Sequence, residues 1–135
     1  MTPPEVQAQD AIVQKPANPP AVLLLVLAKR ADFLRAASAR RHGTASFLLQ
    51  ARARGDDNPQ IRIGYTASKK IGNAVLRNRA KRRLRALVRN MLPKLGQPGW
   101  DYVLVARPDA TVTRPFADLQ SDLVTALRTI HKARP

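Results

Sequence analysis

The chain has 135 residues, a length that suits one domain with a modest hydrophobic core. Its net charge of +15 indicates a polyanionic partner, nucleic acid or less often an anionic membrane surface, while an apolar content of 44% argues against wholesale disorder. It has no cysteine, which excludes a disulfide framework and a thiolate metal site.

The N-terminal segments differ sharply in composition. Residues 1–20 are rich in proline and show no hydrophobic period, which predicts a disordered tail ahead of one folded domain at 21–135. The apolar run 21–28, AVLLLVLA, is far shorter than the roughly twenty residues of a bilayer span. The tail also lacks the basic start of a signal peptide. We therefore expect a buried strand or helix segment at 21–28 and no membrane partner.

A short helix and two strands are predicted next. In KRADFLRAASARRHG, Asp32 is expected to cap a helix that runs to about Arg41, and Gly43 to stop it. The segments 44–53 and 61–67 predict strands, because both are bounded by turn residues and rich in strand formers.

NAVLRNRAKRRLRALVRNML predicts the strongest helix of the chain, and Pro93 is expected to mark its end. Apolar residues at helical spacing form one stripe: Leu76, Ala80, Leu84, Leu87, Val88 and Met91. The opposite face is polar and basic: Asn78, Arg82, Arg85 and Arg89. Three cations flank the stripe, where long stems lie along apolar surface: Arg79, Lys81 and Arg83. Arg77 falls on the side of the stripe, in the first turn.

The charge of this helix is not balanced by acids. No Asp or Glu occurs between Asp57 and Asp101. Like charges repel at the i,i+4 pairs Lys81–Arg85 and Arg85–Arg89. A helix that neutralises nucleic-acid phosphates explains this composition better than a merely solvated face does.

The loop before the helix, SKKIGNA, strengthens the phosphate interpretation. Ser68, Lys69 and Lys70 follow a strand, Gly72 permits an unusual backbone angle, and Asn73 can cap the helix so that its amides face outward. The alternative is ordinary turn chemistry, which the chain needs whether or not the loop binds anything.

The chain closes with one more strand and one more helix. DYVLVARP, 101–108, predicts the strand. RPFADLQSDLVTALRTIHKA predicts an amphipathic helix with five inward residues: Phe116, Leu119, Leu123, Leu127 and Ile130. A strand–helix–strand crossover around the basic helix predicts an α+β fold, a compact sandwich with helices packed on one small mixed sheet.

The segment RIGYTASKKIGNAVLRNRAKRRLRALVR, from Arg62 to Arg89, resembles the signature of the bacterial ribonuclease P protein component. ADFLRA, HGTASFLLQ and DYVLVARPDA extend the resemblance over roughly 30–130. It implies a left-handed β–α–β crossover, which runs against a strong general rule and does not follow from the pattern. It also implies a cytoplasmic subunit, a monomer when free, that works with a catalytic RNA to remove the 5′ leader of precursor tRNA. The RNA would carry the chemistry, with Mg²⁺ held mainly by the RNA subunit and the substrate.

The resemblance also assigns residues to two RNA contacts. The catalytic RNA would meet the helix and the loop before it: Lys69, Lys70, Asn73, Arg77, Asn78, Arg79, Lys81, Arg82 and Arg85. The single-stranded leader would lie in a cleft between the sheet and the first helix, against Phe33, Phe47, Tyr65 and Ser68. Core packing is the alternative for the three aromatic residues, and above all for Phe47. Ala37 stands where some relatives carry a second cleft aromatic.

Three other classes of protein are alternatives for a chain of this charge. A ribosome-associated RNA-binding protein of similar fold differs only in lacking the 62–89 signature. A DNA reader would present side chains to base edges, whereas this helix is suited to phosphates. A protein-only nuclease would need grouped acids or close acid–base groups, yet His42 and His131 are far apart in sequence. We therefore predict no catalytic and no metal-binding residue.

Overall fold

The computed structural model describes residues 24–132, so the predicted tail at 1–20 and residues 21–23 lie outside the described residues. Five strands form one sheet: β1 (Leu24–Val26), β2 (Arg40–Gly43), β3 (Phe47–Ala53), β4 (Ile61–Thr66) and β5 (Trp100–Ala106). The α-helices are α1 (Arg30–Ala37), α2 (Ala74–Leu95), α3 (Ala110–Thr113) and α4 (Phe116–Lys132), with a 3₁₀ turn at Lys69–Ile71. The predicted α+β class with a small mixed sheet is confirmed.

The sheet is mixed, in the order β1-β4-β5-β3-β2. β1 and β5 run parallel to β4, while β3 pairs antiparallel with both β5 and β2. Because β4 and β5 are parallel neighbours, the chain must cross over between them, and α2 makes that crossover. The hand of this crossover stays a prediction.

Strand alternation gives the sheet two faces with different contents. On one face, every second side chain of the strands points towards α2 and α4. These side chains form the main core, which includes Phe47, Leu49, Ile63, Tyr102 and Leu104. On α2 the predicted stripe is buried at Ala80, Leu84, Leu87 and Val88, and Leu92 joins it. Leu76, in the first turn, is exposed and Met91 is half-buried, so the two ends of the predicted stripe are not in the core. We call this the core face of the sheet.

The other face of the sheet is covered only in part, by α1. Leu27, Ala36 and Val103 form a small second cluster there, and Phe33 and Val105 pack against it. A Cβ at Gly64 would lie 2.5 Å from the Phe33 ring, so the glycine makes room for that ring on β4. We call this the α1 face of the sheet.

The structure corrects the prediction for the first helix. α1 begins at Arg30, and its N-cap is Lys29, which makes no side-chain cap. Asp32 lies inside the helix, nearly buried, and its carboxylate pairs with Arg35 and Arg62. Residues 40–43, predicted as the end of the helix and its stop, form the edge strand β2.

Two further predictions about element ends were inaccurate. α2 continues to Leu95 with Pro93 inside its last turn, where the loss of one N–H donor does not end the helix. The run 21–28 does contain a strand, but Val26 is 73% exposed because β1 lies at the edge of the sheet; Leu27 alone is buried there among residues 24–28.

Candidate nucleic-acid interface

The start of α2 is fixed by two residues of the preceding loop. Gly72 has φ 137°, a conformation that favours glycine, and a Cβ there would lie 2.7 Å from the Cδ1 atom of Leu76. Asn73 is the N-cap, since its side-chain oxygen accepts a hydrogen bond from the amide of Leu76 (2.9 Å). The predicted capping role of Asn73 is confirmed, and its side-chain oxygen is already engaged by the helix.

The exposed cations of α2 and its loop form one surface. Ser68, Lys69 and Lys70 are exposed, and the Ser68 side chain accepts a hydrogen bond from the Lys70 amide at the start of the 3₁₀ turn. On α2 the exposed polar residues are Asn78, Arg79, Arg82, Arg89, Asn90 and, in the last turn, Lys94. We call Lys69, Lys70, Arg79, Arg82 and Arg89 the α2 basic surface.

Within residues 24–132, no cation of α2 forms a salt bridge. The helix has no acid in its own sequence, and among residues 24–132 no carboxylate of another element lies within 4.0 Å of its charged nitrogens. The α2 basic surface therefore faces solvent without counter-charge from the described protein, as a phosphate-binding surface requires.

Other cations of α2 are held by the protein. The Arg77 guanidinium donates to the carbonyl of Gly72 (2.9 Å), and Arg83 donates to the carbonyls of Thr111 and Val112, both at 2.9 Å. Lys81 is half-buried on the flank of the stripe.

Arg85 does not lie on the fully exposed side of α2 as the helical spacing predicted. It is half-buried, and its guanidinium lies over the Tyr65 ring, 5.4 Å from the centroid. Burial raises the pKa of Tyr65, and the nearby charges of Arg85 and Arg89 oppose that shift.

The predicted leader residues do not share one cleft. Phe33 is half-buried on the α1 face of the sheet. Phe47 is 0% exposed in the main core, so its ring has no surface for a base, and the core alternative is correct for it. Tyr65 packs on the core face beside α2. Alternation along β4 separates Tyr65 from Phe33 by the thickness of the sheet.

A charged cluster that the sequence reasoning missed lies around Asp101, which is 0% exposed. Its carboxylate accepts hydrogen bonds from Arg62 (2.7 and 2.8 Å) and Arg54 (2.8 Å), and Arg52 lies 3.5 Å away. Arg62 and Arg52 are the residues opposite Asp101 on the two neighbouring strands. We call these four residues the Asp101 cluster.

The electrostatics of the Asp101 cluster favour an ionised Asp101 carboxylate beside charged arginines. Burial alone would raise the pKa of Asp101, but the hydrogen bonds from Arg62 and Arg54 and their charges outweigh burial and lower it. The hydrogen bond to Asp101 in turn raises the pKa of Arg62. Arg54 also donates to the carbonyls of Asn58, Gln60 and Trp100. The cluster thus joins β3, β4 and β5 at one end of the sheet.

The described residues do not fit a protein-held metal ion. No group of three or more His, Cys, Asp or Glu side chains in residues 24–132 is close enough to bind one. The two carboxylates of the α1 face, Asp32 and Asp101, are both engaged by arginines.

The two histidines lie on different elements, His131 on α4 and His42 on β2. His131 contacts the Tyr102 hydroxyl through Nε2 (2.8 Å) and the Trp100 ring edge-on, and its pKa is lowered by burial and by Arg40. His42 lies on the edge strand β2.

Comparison with known proteins then decides the family. The sequence model of the family Ribonuclease P matches residues 24–131. The chain belongs to the ribonuclease P protein family. The ribonuclease P protein component of Ruegeria pomeroyi is 57% identical over 111 residues, covering 82% of this chain and 89% of that protein. That of Caulobacter vibrioides is 52% identical over 101 residues, covering 75% and 67%.

Solved ribonuclease P proteins share the fold. The Staphylococcus aureus protein superposes with a TM-score of 0.62 at 28% identity, covering 77% of this chain and 93% of its own. The Thermotoga maritima protein gives a TM-score of 0.63 at 23% identity, covering 81% and 97%, and supports the fold alone. This chain is thus the protein component of a ribonucleoprotein endoribonuclease of tRNA processing, and the predicted family is confirmed. Among residues 24–132, no helix has the length and apolar character to cross a membrane.

Proposed function

We propose that this ribonuclease P protein binds the catalytic RNA through the α2 basic surface and the single-stranded 5′ leader of precursor tRNA on the α1 face of the sheet. The holoenzyme would then cut the leader from the precursor. The catalytic RNA would supply the chemistry, with Mg²⁺ held by RNA and substrate.

The observation that carries the catalytic-RNA contact is the set of exposed cations on α2 that meet no carboxylate in the described part of the chain. Arg79, Arg82 and Arg89 project from a helix whose other side is anchored in the core, so their positions are preorganised. Each phosphate that they neutralise releases condensed counterions, which provides affinity without sequence preference. Lys69 and Lys70 extend the same surface to the loop, while Arg77, Lys81, Asn73 and Asn78 lie beside it.

The leader contact rests on Phe33. It is the one aromatic side chain among residues 24–132 on the α1 face, and it is half-buried over Gly64. A ring fixed in this way offers a stacking platform at little cost in side-chain entropy. Ser68, exposed after β4, is a candidate polar contact for the same strand. Phe47 and Tyr65 are not included in this site, because one is in the core and the other on the opposite face.

Reconstitution tests the proposal. The full chain is added to a bacterial ribonuclease P RNA with precursor tRNA at low salt and at a Mg²⁺ concentration where the RNA alone cuts slowly. We expect cleavage at the mature 5′ end to rise strongly with wild-type protein and much less with the double variant Arg79→Ala/Arg82→Ala.

Two results would contradict the proposal. Cleavage by the protein without any RNA would identify a protein nuclease. Equal stimulation by wild type and the double variant, at matched folded concentration, would show that the α2 basic surface does not bind the catalytic RNA.

A further inference from the structure

A groove of about 570 Å³ lies between the middle of α2 and the segment that joins α3 to α4. Arg79, Arg82 and Arg83 form its α2 wall, and Arg114 and Phe116 belong to the opposite wall. The second wall is outside the 62–89 signature, so the resemblance assigns it no role.

The two walls are tied together by Arg83. Arg83 lines the groove, and its guanidinium donates to the carbonyls of Thr111 and Val112, each at 2.9 Å. Arg83 is therefore a brace that fixes the width of the groove, and Arg79 and Arg82 remain exposed above it.

Arg114 is held close to acids but is not satisfied by them. Its Nη2 atom lies 3.6 Å from Asp118 and 3.7 Å from Asp122, beyond hydrogen-bond distance. Asp122 already accepts a hydrogen bond from the Ser46 hydroxyl (2.6 Å). The Nε atom of Arg114 is buried and has no hydrogen-bond partner among the described residues. Because the Arg114 side chain as a whole is 34% exposed, a ligand in the groove would meet its terminal nitrogens rather than this buried Nε.

The positive charge of the groove favours an anionic ligand. Four arginines and no carboxylate line the groove, and the two acids near it, Asp118 and Asp122, lie beside Arg114 alone, so the groove keeps a net positive charge. Guanidinium groups match the oxygens of a phosphate in geometry, and the apolar surface of Phe116 beside them suits a sugar or base attached to that phosphate.

We propose that this groove is a two-walled site for RNA phosphodiester backbone, in which Arg114 is a binding residue opposite Arg79 and Arg82. The proposal rests on the proposed function and deepens it, because it extends the RNA contact from α2 to the α3–α4 segment. The phosphate belongs to the catalytic RNA or to the precursor tRNA, and the two arms of the experiment separate these sources.

The first variant is Arg114→Gln, with Arg128→Gln as its matched control. Arg128 is exposed on α4 and lies outside this groove, so both changes remove one positive charge near the same helix. In one arm, the affinity for ribonuclease P RNA is measured as a function of salt. In the other, precursor tRNA binds to holoenzyme assembled at saturating protein. We expect Arg114→Gln to weaken binding about 3- to 10-fold in one arm and to lower its salt slope by about 1, and Arg128→Gln to do neither.

A second variant keeps the test valid if Arg114→Gln lowers stability. Asp118→Asn removes a carboxylate that competes for Arg114, so we expect tighter RNA binding. Asp57→Asn, in the exposed turn after β3, is its control. A loss for Arg114→Gln in the first arm identifies the catalytic RNA, and a loss confined to the second identifies the substrate.

The proposal is overturned if Arg114→Gln matches Arg128→Gln in both arms and Asp118→Asn matches Asp57→Asn. If Arg82→Ala still weakens binding in that experiment, the proposed function stands and only the groove is wrong. If Arg82→Ala also has no effect, the proposed function itself is contradicted.

Discussion

Arginines in two regions of this molecule have opposite environments. In the Asp101 cluster, Arg54 and Arg62 surround a buried carboxylate, and the Arg54 side chain is only 4% exposed. On the α2 basic surface, Arg79 and Arg82 are exposed and meet no acid in residues 24–132. The same residue type therefore has two functions, and the position of the few acids decides which. A paired arginine stabilises the fold, and an unpaired one is available to a polyanion.

The largest expected effect is a difference in salt dependence: salt should weaken RNA binding by the α2 basic surface and leave the stability provided by the Asp101 cluster almost unchanged. If six to ten phosphates are neutralised, affinity for ribonuclease P RNA should fall by about 10³ to 10⁵ between about 50 and 200 mM salt. The free energy of unfolding should change little over the same range, because the buried pairs of the Asp101 cluster are poorly screened. Binding titrations and urea denaturation at matched salt provide the two curves. A nearly flat log–log plot of affinity would contradict the phosphate interpretation.

Asp101→Asn should destabilise the fold by disrupting the Asp101 cluster. It removes the counter-charge of Arg54 and Arg62 while their positions stay buried or half-buried, so we expect a loss of about 3 to 5 kcal/mol in the free energy of unfolding. Asp56→Asn is the control, since Asp56 is exposed, its salt bridge is to Arg54, and Asn can still accept the hydrogen bond from the Asn58 amide; it should cost less than about 1 kcal/mol. Chemical denaturation measures both. Equal costs would show that the cluster is not a stabilising unit.

The Asp101 cluster should also give a pH dependence. The pKa of Asp101 is lower in the folded protein than in the unfolded chain. Its contribution to the free energy of unfolding is therefore fully present above the unfolded pKa of about 3.9, and it is lost as the pH falls through the pKa of the folded state. Wild type should therefore lose more stability than Asp101→Asn between about pH 5 and pH 2. Parallel acid-unfolding profiles for the two proteins would contradict this assignment.

Among the RNA contacts, Phe33→Ala should affect only binding of the leader. We expect a loss of about 1 kcal/mol, the low end of the usual 1 to 3 kcal/mol for a base–aromatic stack, since Ala37 supplies no second ring. Affinity for mature tRNA should hardly change. Binding of precursor and mature tRNA to the assembled holoenzyme makes the comparison, with melting temperature as the check on folding. Equal losses for both RNAs, with a lower melting temperature, would assign Phe33 to packing.

The sequence predicted the parts of the fold that depend on local periodicity. The stripe of α2, the inward leucines of α4 and the two strands around 47–66 follow from spacing alone. β2 did not, because Arg40–Gly43 has no strand-forming pattern and is a strand only through its pairing with β3. Asp32 resembled a helix cap, yet its partner Arg62 lies thirty residues away and is invisible to local rules.

The candidate site, like the fold, was predictable from the sequence only where it depends on local properties. The uncompensated charge of α2 is a local property, and the structure exposes Arg79 and Arg82 as expected. The Asp101 cluster depends on the register that places Arg62 and Arg52 opposite Asp101, which no single segment encodes. For Tyr65 a signal was present: the period of two along β4 groups it with Ile61 and Ile63, on the face away from Phe33.

One paired measurement tests the central claim most directly. Arg82→Ala and Arg54→Ala each remove one arginine and one positive charge, so a general effect of net charge is the same in both. Urea denaturation and binding to ribonuclease P RNA are measured for each. We predict that Arg82→Ala lowers RNA affinity and reduces the salt slope by about 1 with unchanged stability. Arg54→Ala should lose about 2 to 4 kcal/mol of stability while its folded fraction binds RNA like wild type. Equal losses of RNA affinity in the two variants would contradict the division between paired and unpaired arginines.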